Sequence, residues 1–170
     1  MKLGLSLITI FLLSYSFALA KSPVLKFEAG ECSHRLTGQS FKRYDKSTSI
    51  KLEKGSIVKS ESLKGSLVFD EGIADVESEL LCRVSSNGEF VLVHGILKIK
   101  VNENFNLLTP SCKFSLKPGR YEITVMEGLG VLKSLEGSGR ASNSNMSISF
   151  KSGQKAIFTS LGQIDIKVNS

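Results

Sequence analysis

Tryptophan is absent from this chain, and histidine occurs only twice, at His34 and His94. An enzyme needs convergent groups with tuned protonation, so this scarcity points away from catalysis. The sequence also lacks a G-x-S-x-G elbow, a phosphate-cradling glycine loop and a paired-carboxylate motif. Gly128-Leu129-Gly130 has the beginning of a dinucleotide fingerprint, but no helical pattern follows it. No pair of cysteines or histidines has metal-ligand spacing, so neither a metal nor a cofactor is expected. Beyond residue 20, no run is apolar enough to cross a bilayer as a helix.

Cysteine is nearly as scarce, and its count is odd: Cys32, Cys82 and Cys112. An oxidising compartment permits one disulfide among these three candidates, with three possible pairings and one thiol left over. The alternatives are three small buried hydrophobes, or an odd thiol bonded to a partner chain. Cys32-Ser33-His34 is the one close cysteine and histidine pair, and in a strand the two side chains would share a face. It supplies an alternative reading as a small envelope enzyme using Cys32 and His34. His94 falls on the polar side of its strand and reads as a surface residue.

The chain begins Met1-Lys2, continues with the apolar run Leu3 through Phe17, and closes on Ala18-Leu19-Ala20. That is the pattern of a secretory signal peptide, cleaved after residue 20; an uncleaved anchor is the alternative. Export to the periplasm or beyond the cell is therefore expected. No cysteine at the cleavage point marks a lipoprotein. Loss of Lys2 would take the net charge from +6 to +5. Residues 21–170 would remain as one domain, long enough to bury about 70% of its unfolded surface without a metal or disulfide.

What the chain has in plenty is alternation of apolar and polar residues, the mark of half-buried strands. Three units place a glycine inside such a run: Val91–Ile99 around Gly95, Ile123–Val131 around Gly128, and Ile148–Ala156 around Gly153. From Val91 to Val101 the odd positions are apolar or glycine, and Tyr121, Ile123, Val125, Leu129 and Val131 are likewise odd. Met146, Ile148, Phe150, Ala156, Phe158, Ile164, Ile166 and Val168 are all even. A two-residue hairpin would switch the parity of the buried face, so the steady parity predicts long glycine-bent strands rather than tight hairpins. Shorter runs at Phe105–Leu108 and Cys112–Leu116, with turn signals at Ser85–Gly88 and Pro118-Gly119, complete the pattern. Asp70–Leu81 is ambiguous between helix and strand, and Gly137–Asn145 reads as a small-polar loop. The expected fold is all-β, an antiparallel sandwich or roll with glycine-bent strands, with a short β-solenoid as the alternative.

The basic excess is the remaining signal. Lys42, Arg43, Lys46, Lys51 and Lys54 cluster early, while Lys98, Lys100, Lys113, Lys117 and Arg120 fall at polar-parity or turn positions and are the candidate binding residues. Such cations attract anionic lipids, wall polymers or acidic proteins; they also serve ordinary solubility and guard strand edges. Nucleic acid is not expected as a partner, since no recognised binding motif is present.

Several of these segments resemble one known family. Gly88–Val101, the Phe105–Pro110 stretch with its Leu-Thr-Pro, and Pro118-Gly119-Arg120-Tyr121 look like the FecR-type periplasmic domain. Val125–Val131 resembles its V-x-E-G-x-V-x-V strand, and Lys151–Ala156 its closing x-A-G-Q-x-A. The likeness covers about residues 50–160. It departs from the family at Gly119-Arg120-Tyr121, where a Gly-Thr-x-Phe turn is common, and in having no cytoplasmic or transmembrane signalling part. The resemblance implies an isolated β-rich periplasmic module that binds a partner. The functional expectation is thus a non-catalytic exported domain that binds an envelope protein or an anionic envelope component, a regulatory role included, with a surface adhesin or fibre subunit as a further alternative. The oligomeric state is left open.

Overall fold

The computed structural model describes residues 22–45 and 47–168; the leader expected at 1–20, and Lys46, lie outside the described residues. The chain forms β1 (Val24–Arg35), β2 (Lys42–Tyr44), β3 (Thr48–Lys51), β4 (Ile57–Val68), β5 (Gly72–Val84), β6 (Phe90–Val101) and β7 (Phe105–Leu108). There follow β8 (Lys113–Leu116), β9 (Gly119–Met126), β10 (Leu129–Glu136), β11 (Gly139–Ser142), β12 (Ser147–Phe150), β13 (Gln154–Thr159) and β14 (Ile164–Val168). No helix occurs among the described residues, so the all-β expectation holds. Among the described residues every pairing is antiparallel except a single parallel contact between Val91 of β6 and Leu108 of β7, which does not fit the solenoid alternative.

The long strands β1, β4, β5 and β6 form a trunk, and the sheet forks at β6. The second half of β6 pairs with β9, which leads to β10, β13 and β14; the first half meets β7, which leads to β8, β11 and β12. Breaks of register between β1 and β4, β4 and β5, and β5 and β6 bend the trunk, because each extra residue kinks its strand. The two branches pack face to face. Phe114 of β8 lies 5.1 Å from Phe158 of β13, and Tyr121 of β9 lies 6.4 Å from Phe150 of β12, both edge-on. One apolar core runs through trunk and branches alike.

The glycine-hinged units prove to be three different devices. In β6 the core receives Phe90 and Leu92, then Leu97, Ile99 and Val101, so the buried parity changes from even to odd. Cys82 pairs with Leu92 while Leu81 pairs with His94, which makes Val93 the extra residue of a bulge. The steady odd parity expected here is thus corrected: Val91 is apolar and buried but lies outside the core cluster, on the other side of the strand. Beyond the bulge Gly95 takes φ +124°, and a Cβ there would come within 2.5 Å of the Glu79 carbonyl oxygen. β6 runs unbroken through Gly95, so a long strand with a glycine inside it, and not a hairpin, is as expected.

At Gly128 the expectation fails. Met126 pairs with Leu129 across a two-residue turn, so β9 and β10 are a tight hairpin. The parity switches as such a hairpin requires: Tyr121, Ile123 and Val125 are buried in β9, but Gly130, Leu132 and Ser134 in β10. Leu129 is half exposed. The buried face of β10 is small because the Phe158 ring lies on Gly130, where a Cβ would sit 1.9 Å from it. Size complementarity therefore hid the inward face from a reading based on hydrophobicity.

Around Gly153 the buried parity persists through Phe150, Ala156, Phe158 and Ile164. There the chain leaves β12 in one branch and enters β13 in the other, a corner of the kind expected. The ambiguous segment at 70–81 is strand β5, and the loop expected at 137–145 contains strand β11.

Candidate functional site

The branch built from β7, β8, β11 and β12 carries its residues in strict register. Phe105, Leu116, Gly139 and Phe150 stand side by side, and the next row is Asn106, Ser115, Arg140 and Ser149. Phe105, Leu116 and Phe150 are buried, so the alternate row of Asn, Ser, Arg and Ser faces outward. Asn104, Lys117, Ser138 and Lys151, one position beyond the ends of the same strands, continue the outward pattern. Together these two rows line a cleft of about 750 Å³. Neighbouring strands are about 4.8 Å apart, so the cleft crosses about 14 Å of sheet.

Lys117, Arg140 and Lys151 bring three cations to this cleft, and Lys113 stands on the same face of β8. None of the four makes an ion pair among the described residues. The reason lies in the chain itself, which has no Asp or Glu from 104 to 121 or from 137 to 164. The whole branch is consequently free of carboxylates. Asn106 Oδ1 accepts a hydrogen bond from Ser115 Oγ at 2.9 Å, ordering the polar row.

Buried groups fix the far end of the cleft. Tyr121 is 1% exposed, and its hydroxyl oxygen lies 2.7 Å from the Lys117 carbonyl and 2.9 Å from that of Ser138. A phenol has one proton, so it is shared between the two carbonyls and ties the chain at both cleft residues. Lys151 is placed by the next corner, where Ser152 Oγ donates to the Leu135 carbonyl at 3.0 Å and Gly153 N–H to that of Ser134 at 2.9 Å. Gln154 Oε1 accepts from Lys151 N–H at 2.8 Å.

The five cations expected to bind do not gather. Lys113 and Lys117 lie on the acid-free branch, but Lys98, Lys100 and Arg120 lie outward on β6 and β9, across the core. There Lys98 Nζ is 3.3 Å from Glu77 and Arg120 is bonded to Glu136, while Lys100 stands in register with Arg120. Lys133 and Glu122 make a further pair at 2.8 Å. Arg140 and Lys151 join Lys113 and Lys117 from outside that set of five, and the second acid-free window in the sequence marks both. Of the early basic cluster, Arg43 is paired with Glu31 and Lys51 lies 3.7 Å from Glu53.

The cysteines are all free, which corrects the expected disulfide among Cys32, Cys82 and Cys112. They are 1%, 0% and 4% exposed and serve as core hydrophobes. Burial pushes the Cys32 and Cys112 thiols up to about 11 and that of Cys82 higher still, helped by its neighbour Cys32. A thiol so raised is no nucleophile at neutral pH. His34, its proposed partner, instead places Nε2 3.1 Å from Ser56 Oγ, and burial lowers its basicity against the opposing pull of Glu53. His94 Nε2 lies 3.1 Å from Glu79 Oε2 at the surface.

Fold and site together define an all-β module of two packed branches with one acid-free cationic face. Among known proteins, no family model, no curated sequence and no solved structure matches the chain.

Proposed function

We propose that this protein is an exported, non-catalytic binding domain that holds an anionic component of the cell envelope on the outer face of β7, β8, β11 and β12. One observation carries the reading: Lys113, Lys117, Arg140 and Lys151 share a face without a single carboxylate, whereas Lys98, Lys133 and Arg120 on the other branch are paired. Unneutralised cations along a cleft concentrate anions; paired cations largely cancel. The leader at 1–20 and the FecR-like motifs support the export and binding parts of the reading. The non-catalytic part draws on the burial of Cys32 and the engagement of His34 with Ser56.

The test is retention of the purified protein on immobilised anionic and neutral envelope material at low and physiological salt. The reading predicts retention on the anionic material alone, weakened by salt and by Arg140→Glu. Equal retention on neutral material, or indifference to Arg140→Glu, would contradict it.

A further inference from the structure

We infer that the occupant of the cleft is a hydroxyl-rich polyanion, an acidic polysaccharide strand lying across β7, β8, β11 and β12; this rests on the anion-binding reading above. Three features of the lining lead there. First, the charges are spread out. Lys117 and Lys151 flank Ser138 two strand spacings apart, about 10 Å, and Arg140 is about 7 Å along β11 from Ser138. A ligand with several separated anionic groups meets all three at once, whereas one small ion does not.

Second, the surface between the cations is neither apolar nor acidic. Asn104, Asn106, Ser115, Ser138 and Ser149 fill it. Amide and hydroxyl side chains both donate and accept hydrogen bonds, as sugar hydroxyls do. A polyanion without hydroxyls can accept from this row but has no proton to donate to it, so the acceptor oxygens of its Asn and Ser side chains go unmatched.

Third, two competing occupants lack what they need. Single-stranded nucleic acid binds through aromatic platforms for its bases. The only aromatic residues of the lining, Phe105 and Phe150, are 6% and 1% exposed and belong to the core. A lipid surface calls for protruding apolar side chains beside the cations. The large exposed hydrophobics, such as Met126, Leu129 and Leu161, lie outside the cleft.

Titration calorimetry of the purified protein with polygalacturonate, polyphosphate, an oligo-dT strand and anionic-lipid vesicles, at matched charge and ionic strength, tests the inference. Polygalacturonate should bind at least about fivefold more tightly than each of the others, the factor that a single additional hydrogen bond of about 1 kcal/mol supplies. The paired substitution Asn106→Leu with Ser149→Ala should erase that preference and leave polyphosphate binding unchanged, while Arg140→Glu should weaken both. Equal or tighter binding of polyphosphate, oligo-dT or vesicles, or a preference that survives the paired substitution, overturns the polysaccharide assignment and leaves the anion-binding reading in place. Absence of binding to all four overturns both. Circular dichroism and an unchanged urea midpoint confirm that each variant is folded.

Discussion

The two outward faces of this sandwich use cations in opposite ways. On the branch of β9 and β10 and the adjoining half of β6, Lys98, Arg120 and Lys133 each have a carboxylate beside them. On the branch of β7, β8, β11 and β12 the cations stand among serine and asparagine, and no carboxylate belongs to those strands. The number of basic residues is similar; the neutralisation differs. A count of lysines along the chain therefore locates no site, whereas the distribution of the missing acids does. Cross-strand pairs of opposite charge stabilise a sheet modestly, so the first face is suited to holding the fold. The second gives up that small gain and leaves its charge unneutralised.

The comparison holds only if the two faces are rigidly opposed, and that depends on the aromatic contacts between branches. Phe158→Ala removes the ring packed on Phe114 and Gly130, so it should cost about 3–5 kcal/mol in urea-induced unfolding. A loss below about 1 kcal/mol would mean that the branches are not locked through this contact. Tyr121→Phe is the next largest. Deleting a buried hydroxyl that serves two carbonyls should cost about 1–3 kcal/mol, and anion binding should weaken because Lys117 and Ser138 lose their common tether. Stability lost with binding intact would assign Tyr121 to the fold alone.

Protonation sharpens the same contrast from the trunk. His34 is held below its ordinary value of 6.5 mainly by burial, so the unfolded chain binds more protons than the folded one as pH drops below that value. Stability should accordingly be unaffected by His34 above pH 6.5 and decline below it. His34→Gln should flatten that decline in thermal unfolding measured from pH 7 down to 5, and an unchanged profile would show that the imidazole titrates normally. The smallest effect belongs to the paired face. A double-mutant cycle on Lys98 and Glu77, both more than half exposed, should give a coupling of about 0.5 kcal/mol or less. A coupling above 1 kcal/mol would make that face more than a screened surface pair.

Much of the fold is legible in the residues. Alternation specifies strands, and the run of Phe150, Ala156, Phe158 and Ile164 keeps one face inward across a corner, as the even parity predicts. The failures have a common cause. Val91 and Val93 put apolar side chains on the outer side of β6, and Gly130 and Ser134 put small ones on the inner side of β10. Parity of hydrophobicity misleads wherever a bulge adds a residue or a ring such as Phe158 fills the space that a glycine vacates. The site was half legible. Lys113 and Lys117 stand out as basic strand positions; Arg140 does not, because Gly137–Asn145 has the composition of a loop and yet pairs as β11 between β8 and β12, and Lys151 does not, because it falls in the turn between β12 and β13. The acid-free windows mark the segments, and long-range register brings the four cations onto one face.

The central claim is that the acid-free face, and not the paired one, carries the binding. Titrating the purified protein and two double variants with one anionic polymer over a range of salt tests it most directly. Lys117→Glu with Arg140→Glu should weaken binding by at least about tenfold and flatten its salt dependence. Lys98→Glu with Lys100→Glu, which changes the net charge by the same amount, should alter affinity by less than about threefold. Equal losses from the two variants would show that the polymer responds to overall charge, and would contradict the account.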